Sequence, residues 1–439
     1  MAIAACGPQT FDVNIADVTA APSPSPAEFE GVPLYGTGTD GTLTVGSGTS
    51  KVINICHELN ALINDTMLDV SSTLGYADGQ VLLLLQERDR SGVMPQPGKA
   101  GLFELVRIAD VVDGITVRTR FPVVHAYEGV SGASAQACTV PEYSTVVLDG
   151  GAALDAPPRD PFGGGILAFL VSSSMDAGAA FLLADDLGFP GGACNSNAAA
   201  DESVDANNLQ GGGKGQGFGG IGGSGFGNNT NGGGGGNPRE AGGGGGGAAR
   251  AGGRGGGRSS DNDLSFGEPG DGYAGLSTGD RLFFGGGGGG GHGFNGTENP
   301  PCDGGAGGGI LFIQARLARG DGAQIRAAGA SLAGGESADS GGGGGGGGGG
   351  TVWLIVGTGG DFHPNQVSVA GGRGGNSGFD ITEGTAGPGG GGGGGYARVG
   401  GITGYDLLKS GGPSGVVVDL TGESDNTRGA TVGSNGTTF

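Results

Sequence analysis

Residues 341–356 read GGGGGGGGGGTVWLIV: ten glycines run, without a linker, into six residues that favour β-strand. Glycine has no side chain to bury and loses the most backbone freedom on ordering. A run of it either stays disordered or folds by packing backbone on backbone. Further uninterrupted runs at 232–236, 242–247, 285–291 and 389–395 have the same texture, and Leu282, Phe283 and Phe284 abut one of them. In the polyproline II conformation, polyglycine makes three residues per turn and rises about 3.1 Å per residue, so ten glycines would span roughly 31 Å. Amides and carbonyls would point outward, and such helices could bond one another directly because no Cβ holds them apart. Gly345→Val should then break the packing.

Around that run the sequence repeats itself. Three segments share a glycine run, a short apolar strand, a polar or glycine turn, a second short strand and more glycine. They are GGGILAFLVSSSMDAGAAFLLADDLGFPGG from Gly163, GGGILFIQARLARGDGAQIRAAGASLAGG from Gly307 and GGGTVWLIVGTGGDFHPNQVSVAGGRGG from Gly348. A shorter relative begins at Gly393. Units of this length that cannot bury an apolar face alone are expected to stack. Residues 163–184 are apolar enough to raise a membrane span, but Asp176, three serines and the flanking glycines point to buried strands.

The first half has a different texture. Residues 43–45, 52–55, 81–85, 102–108, 115–120 and 146–148 read as short strands, and Asp-Gly pairs at 78–79, 113–114 and 149–150 punctuate them as turns. The expected fold is all-β: an amino-terminal β domain at 31–160, then a glycine-rich β-repeat body at 161–412 with a bundle of polyglycine II-type helices. An insertion at about 195–306 interrupts the body, and 413–439 closes the chain with a strand and a tail. Collagen is excluded, because no Gly-X-Y period appears among the 112 glycines and only 20 prolines are present.

Forty-three acidic against 21 basic residues give a net charge of −22. Such a chain repels nucleic acid and anionic lipid, so neither is an expected partner. Five cysteines, none in a CxxC pair, and four scattered histidines argue against zinc. Residues 3–6 read IAAC, like the lipobox of bacterial lipoproteins, although no basic stretch or apolar run stands ahead of it in the sequence. Cys6 is the lipidation candidate, and the Pro/Ser-rich stretch TAAPSPSP at 19–26 reads as a tether within an opening segment at 1–30. Cys56 and Cys138, lying in or beside strands, form one candidate disulfide. Cys194 and Cys302, at the two mouths of the insertion, form the other.

Catalytic motifs are sparse. The lysine at 214 is not followed by the Ser or Thr of a P-loop, and no nucleophile elbow with convergent His and Asp is apparent. Carboxylate pairs such as Asp185-Asp186 read as solvated turns, and Arg319-Gly320-Asp321 as the turn of a repeat. No cofactor is expected. Calcium is the one ion the carboxylates could take, with Asp261, Asn262 and Asp263 as candidate ligands.

VPEYSTVVLDGGAALDAP at 140–157, GGILAFLVSSSM at 164–175, DLGFPGG at 186–192 and GDRLFFGGGGGGGHG at 279–293 resemble a family of glycine-rich bacterial envelope proteins. That family includes adventurous gliding motility proteins of myxobacteria, and similar glycine-helix sandwiches occur in tip adhesins of some phage tails. The likeness runs from about 78 to 412 and departs from the pattern at 157–159, where Pro-Pro-Arg replaces the usual tryptophan. It implies a non-enzymatic structural or adhesion protein at the cell surface or outside the cell, displaying loops on a rigid scaffold to an unidentified surface ligand or polysaccharide. A polysaccharide-active enzyme on a β-solenoid is the rival reading, and an ice-binding protein a third, which the bulky segments around Trp353 disfavour.

Overall fold

The computed structural model describes residues 30–88, 98–129, 132–160, 163–195, 211–220, 222–237, 240–257, 266–273, 281–293, 302–332, 341–380, 384–418 and 424–438. Every regular element among them is a β-strand. β1 (Thr42–Val45) and β2 (Ser50–Val52) come first. A hairpin-rich excursion follows: β3 (Cys56–Asn64), β4 (Met67–Val70), β5 (Val81–Arg88), β6 (Phe103–Val111), β7 (Thr116–Thr119) and β8 (Ser134–Val140). Then strands come mainly in long-and-short pairs: β9 (Glu142–Leu148) with β10 (Ala153–Asp155), β11 (Ile166–Ala177) with β12 (Phe181–Leu183), and β13 (Ile310–Asp321) with β14 (Gln324–Arg326). β15 (Thr351–His363) pairs off with β16 (Gln366–Ser368) in the same way, as does β19 (Tyr396–Gly400) with β20 (Asp406–Leu408). Between and after them lie β17 (Ser377–Asp380), β18 (Gly384–Thr385), β21 (Val417–Val418), β22 (Ser424–Asn426) and β23 (Thr437–Thr438).

The pairs stack. The long strands form a seven-stranded parallel sheet in the order β1-β9-β11-β13-β15-β19-β23. The short ones form a six-stranded parallel sheet, β2-β10-β12-β14-β16-β20. Each rung thus gives one strand to each sheet, the arrangement of a parallel β-solenoid. A small four-stranded sheet, β18-β17-β21-β22, lies beside it.

The apolar runs follow from burial on both faces, as parallel sheets require. In β11, β13 and β15, Leu167, Phe169, Leu311, Ile313, Val352 and Leu354 face the short sheet, where they meet Leu154, Leu182, Ile325 and Val367. Their alternates Ile166, Leu170, Ile310, Phe312 and Trp353 pack on Leu83, Leu85, Phe103 and Leu105. Phe103 meets Phe312 and Trp353 edge-on at centroid distances of 5.7 and 5.4 Å. The excursion supplying Phe103 is a closed barrel, β3-β4-β7-β6-β5-β8, filled by Leu59, Leu68, Leu82, Leu84, Val106, Ile108 and Val117. β5 reads VLLLLQER because Leu82 and Leu84 point into the barrel while Val81, Leu83 and Leu85 point at the long sheet.

Residues 31–160, expected as one β domain, divide between two bodies. Only Cys56–Val140 builds the barrel; β1, β2, β9 and β10 belong to the stacked sheets. Two buried ion pairs join the parts. Arg107 of β6 meets Glu142 of β9 through two hydrogen bonds of 2.7 and 3.0 Å. Arg159 meets Glu87 of β5 at 3.0 and 2.8 Å, its guanidinium 4.3 Å from the centre of the Phe284 ring. Burial pushes the Glu87 carboxyl up, but the charge of Arg159 and its hydrogen bonds outweigh this and hold it below the usual range.

The glycine runs close the remaining side, and their backbone bonds advance in steps of three. Gly342, Gly345 and Gly348 donate to His292, Gly289 and Gly286; Gly343, Gly346 and Gly349 donate to Gly387, Gly390 and Gly393; Gly347 and Gly350 donate to Ala330 and Ala327. Gly286 and Gly289 in turn donate to Gly247 and Gly244. The described parts of the insertion at 195–306 therefore belong to the same layer.

Candidate functional site

From β10 to β20 each short strand sends its middle residue inward, so the outer face of the short sheet carries two ladders, of which Ser368 in the second is itself buried. Phe181, Gln324, Gln366 and Asp406 are successive register partners in one. Asp155, Leu183, Arg326, Ser368 and Leu408 follow one another in the second. Neighbouring strands set these side chains about 4.8 Å apart. Among the described residues no side-chain hydrogen bond engages the Gln324 or Gln366 amide, whereas Asp155 accepts one from Ser50. An aromatic ring, two amides and a carboxylate in file can stack on a flat ring and bond to hydroxyl groups.

At one end of this face the chain leaves β12 in a tight turn carrying Asp185 and Asp186. Asp186 sits at φ 59°, a left-handed conformation that Asp and Asn adopt more readily than most residues. Its amide donates to the Ala328 carbonyl at 3.0 Å. Asp185 accepts the Ala328 amide at 2.7 Å through Oδ1 and meets Arg326 at 2.5 Å through Oδ2. Burial raises the Asp185 carboxyl, against the pull of the Ala328 amide and Arg326. Burial, reinforced by the charge of Asp185, pushes Asp186 up to about 6. The turn read as solvated from the sequence does leave Asp186 exposed, but Asp185 is partly buried and a guanidinium from the next rung stands beside it. Aligning the segments from Gly163 and Gly307 rung on rung would have revealed it, because that register sets Leu183 against Arg326.

The remaining candidates fall as follows. Disulfides join Cys56 to Cys138 and Cys194 to Cys302, across 82 and 108 residues. Cys56 and Cys138 are register partners of β3 and β8. The Cys194 amide donates to Asp303 at 2.6 Å. Cys6 and the calcium candidates Asp261, Asn262 and Asp263 lie outside the described residues. No group of His, Cys, Asp or Glu able to hold a metal occurs among the described residues. Arg319-Gly320-Asp321 closes β13, paired with Asp361–His363 of β15 rather than presented on a loop tip.

No family model matches the chain, and no curated protein matches it in sequence. Among solved structures the chain is similar to the tailspike protein gp49 from Pseudomonas phage LKA1, at 15% identity over 33% of this chain and 28% of that one, with a TM-score of 0.17. It is also similar to the gp54 tailspike of Acinetobacter baumannii bacteriophage AP22, solved in complex with A. baumannii capsular saccharide. There the identity is 9% over 84% of this chain and 51% of that one, again with a TM-score of 0.17. The chain therefore spans less than two thirds of either. At such scores the likeness fixes neither fold nor activity, and the solenoid rests on strand order and register alone. Both neighbours are phage tail proteins, in keeping with the phage-tail part of the resemblance; the gliding-motility part has no matching family behind it.

The expectation of a non-enzyme is corrected here. It rested on the sequence's lack of convergent catalytic groups. Asp185, Asp186 and Arg326 do converge.

Proposed function

We propose that this chain is an extracellular, polysaccharide-active protein that lays a glycan along the outer face of its short parallel sheet. The ladder of Phe181, Gln324, Gln366 and Asp406, on the same sheet as the strand that leads into the carboxylate pair, carries the reading. Two disulfides suit an oxidising, extracellular setting. The net charge of −22 favours neutral or amino-sugar polymers over polyanionic ones. Asp186, which keeps its proton up to about pH 6, would deliver it to the glycosidic oxygen as the C–O bond breaks, while water adds its hydroxyl to the anomeric carbon and releases a proton. Asp185, held by Arg326, would supply negative charge beside the forming oxocarbenium. The glycine layer is proposed to be a bundle of polyglycine II-type helices, a reading supported by the three-residue step of its donors.

The test is incubation of the full chain with a panel of purified capsular polysaccharides, read by co-sedimentation and by loss of polymer length. At least one polymer should bind and shorten, and Asp186→Asn should bind it equally without shortening it. Absence of binding across the panel would remove the reading, and full shortening by Asp186→Asn would remove the acid.

A further inference from the structure

A second site lies where the barrel meets the first rungs. A half-open cavity of about 180 Å³ sits between the link from β2 to β3, the start of β5 and the junction of β8 with β9. Ile53, Val81 and Val140 line it with apolar groups; Asp40, Gln80 and Tyr143 give it a polar edge. The fold uses half of the hydrogen-bonding capacity at that edge. Asp40 Oδ2 accepts the Glu142 amide at 2.6 Å, and Gln80 Oε1 accepts the Ala77 amide at 2.9 Å. The Thr139 hydroxyl is taken too, accepting the Ile55 amide at 2.9 Å. Left over are Asp40 Oδ1, Gln80 Nε2 and the Tyr143 hydroxyl, none with a partner among the described residues. They are an acceptor, a donor and a group able to act as either. Burial and the nearby charge of Asp40 push the Tyr143 hydroxyl up to about 12, so it stays protonated at physiological pH.

We propose that this cavity binds one neutral pyranose-sized polyol, a site separate from the face of the short sheet. The polar edge matches a ring's hydroxyls: Asp40 takes a hydroxyl proton, Gln80 donates to a hydroxyl or ring oxygen, and Tyr143 does either. The branched aliphatic wall suits the C–H face of the same ring. An anion would meet the Asp40 carboxylate with no cation lining the cavity. The volume is well below the roughly 300 Å³ at which drug-sized pockets begin, which limits the occupant to a single ring.

Isothermal titration of the full chain with methyl α-D-glucopyranoside, methyl α-D-galactopyranoside, N-acetyl-D-glucosamine and D-glucuronate tests this. At least one of the three neutral sugars should bind saturably at one site. Tyr143→Phe, nearly isosteric, and Asp40→Asn, which keeps the oxygen that accepts the Glu142 amide, should each weaken it about fivefold, the scale of one net hydrogen bond. Their melting temperatures should match the wild type. The double variant Gln324→Ala/Gln366→Ala, on the other face, should bind as the wild type does, which separates this site from the polymer-binding reading. No saturable binding by any neutral sugar would overturn the proposal. So would tighter binding of glucuronate, wild-type affinity in both cavity variants, or loss of binding in the Gln324/Gln366 variant.

Discussion

A methyl group added at Gly345 would stand 2.0 Å from the carbonyl oxygen of Gly244, whereas one added at Gly223, also in glycine-rich sequence, would meet nothing within 4 Å. Gly345→Ala must push two backbones apart and should destabilise by about 1–3 kcal/mol or more, while Gly223→Ala should stay within about 0.5 kcal/mol. Equilibrium denaturation of the two variants makes the comparison. Asp186 gives a second residue-scale test. Its carboxyl rises from 3.8 to about 6 on folding, through burial and then the charge of Asp185. The folded chain binds that proton more tightly than the unfolded one, so the contribution to stability is complete below pH 3.8 and lost as pH rises through about 6. Asp186→Asn should therefore melt higher than wild type at pH 7.5, with the difference closing near pH 3.5. A residue that destabilises its own fold at neutral pH is what an acid–base group would do.

At the level of elements, the barrel and the solenoid are held by contacts that no local sequence pattern announces. Arg107 of β6 and Glu142 of β9 are both nearly inaccessible, with side chains 8% and 2% exposed. Removing one partner leaves a buried charge, so Arg107→Met should cost about 3–5 kcal/mol. Arg107→Met with Glu142→Leu should recover most of it, a comparison that chemical denaturation can make. The Cys194–Cys302 bridge closes 108 residues, and chain entropy sets its loss at about 4–5 kcal/mol in Cys194→Ser/Cys302→Ser. Strand content was partly legible. Residues 81–85 fall inside β5 and all but the first of 102–108 inside β6, because their apolar runs are dense. β3 and β8 escaped, since CHELNALIN and SAQACTV mix polar and small residues to fit the barrel wall. Pairing across distance was not legible either: β1 lies beside β9 although the whole barrel intervenes. Asp185 reaches Ala328 across 143 residues, so the carboxylate pair and its arginine converge only once the rungs are stacked.

Across the whole molecule, one long parallel sheet is buried on both faces, with the short sheet on one side and the barrel on the other, where Phe218, Phe283 and Phe284 of the glycine-rich segments also pack. Side chains fill the space between the sheets. In the glycine layer the filling is bare backbone, whose amides and carbonyls are satisfied by neighbouring runs instead of water. On the proposed reading, that layer would steady the ladders of side chains along the short sheet. Hydrogen–deuterium exchange read on peptides covering 285–291 and 341–350 separates it from a solvated linker. Protection there should equal that of β13 and β15, since Gly342, Gly343 and Gly345 to Gly350 all donate to neighbouring backbone carbonyls. Exchange at the rate of unstructured glycine peptide, with β13 and β15 still protected, would contradict the backbone-packed layer and the rigid scaffold built on it.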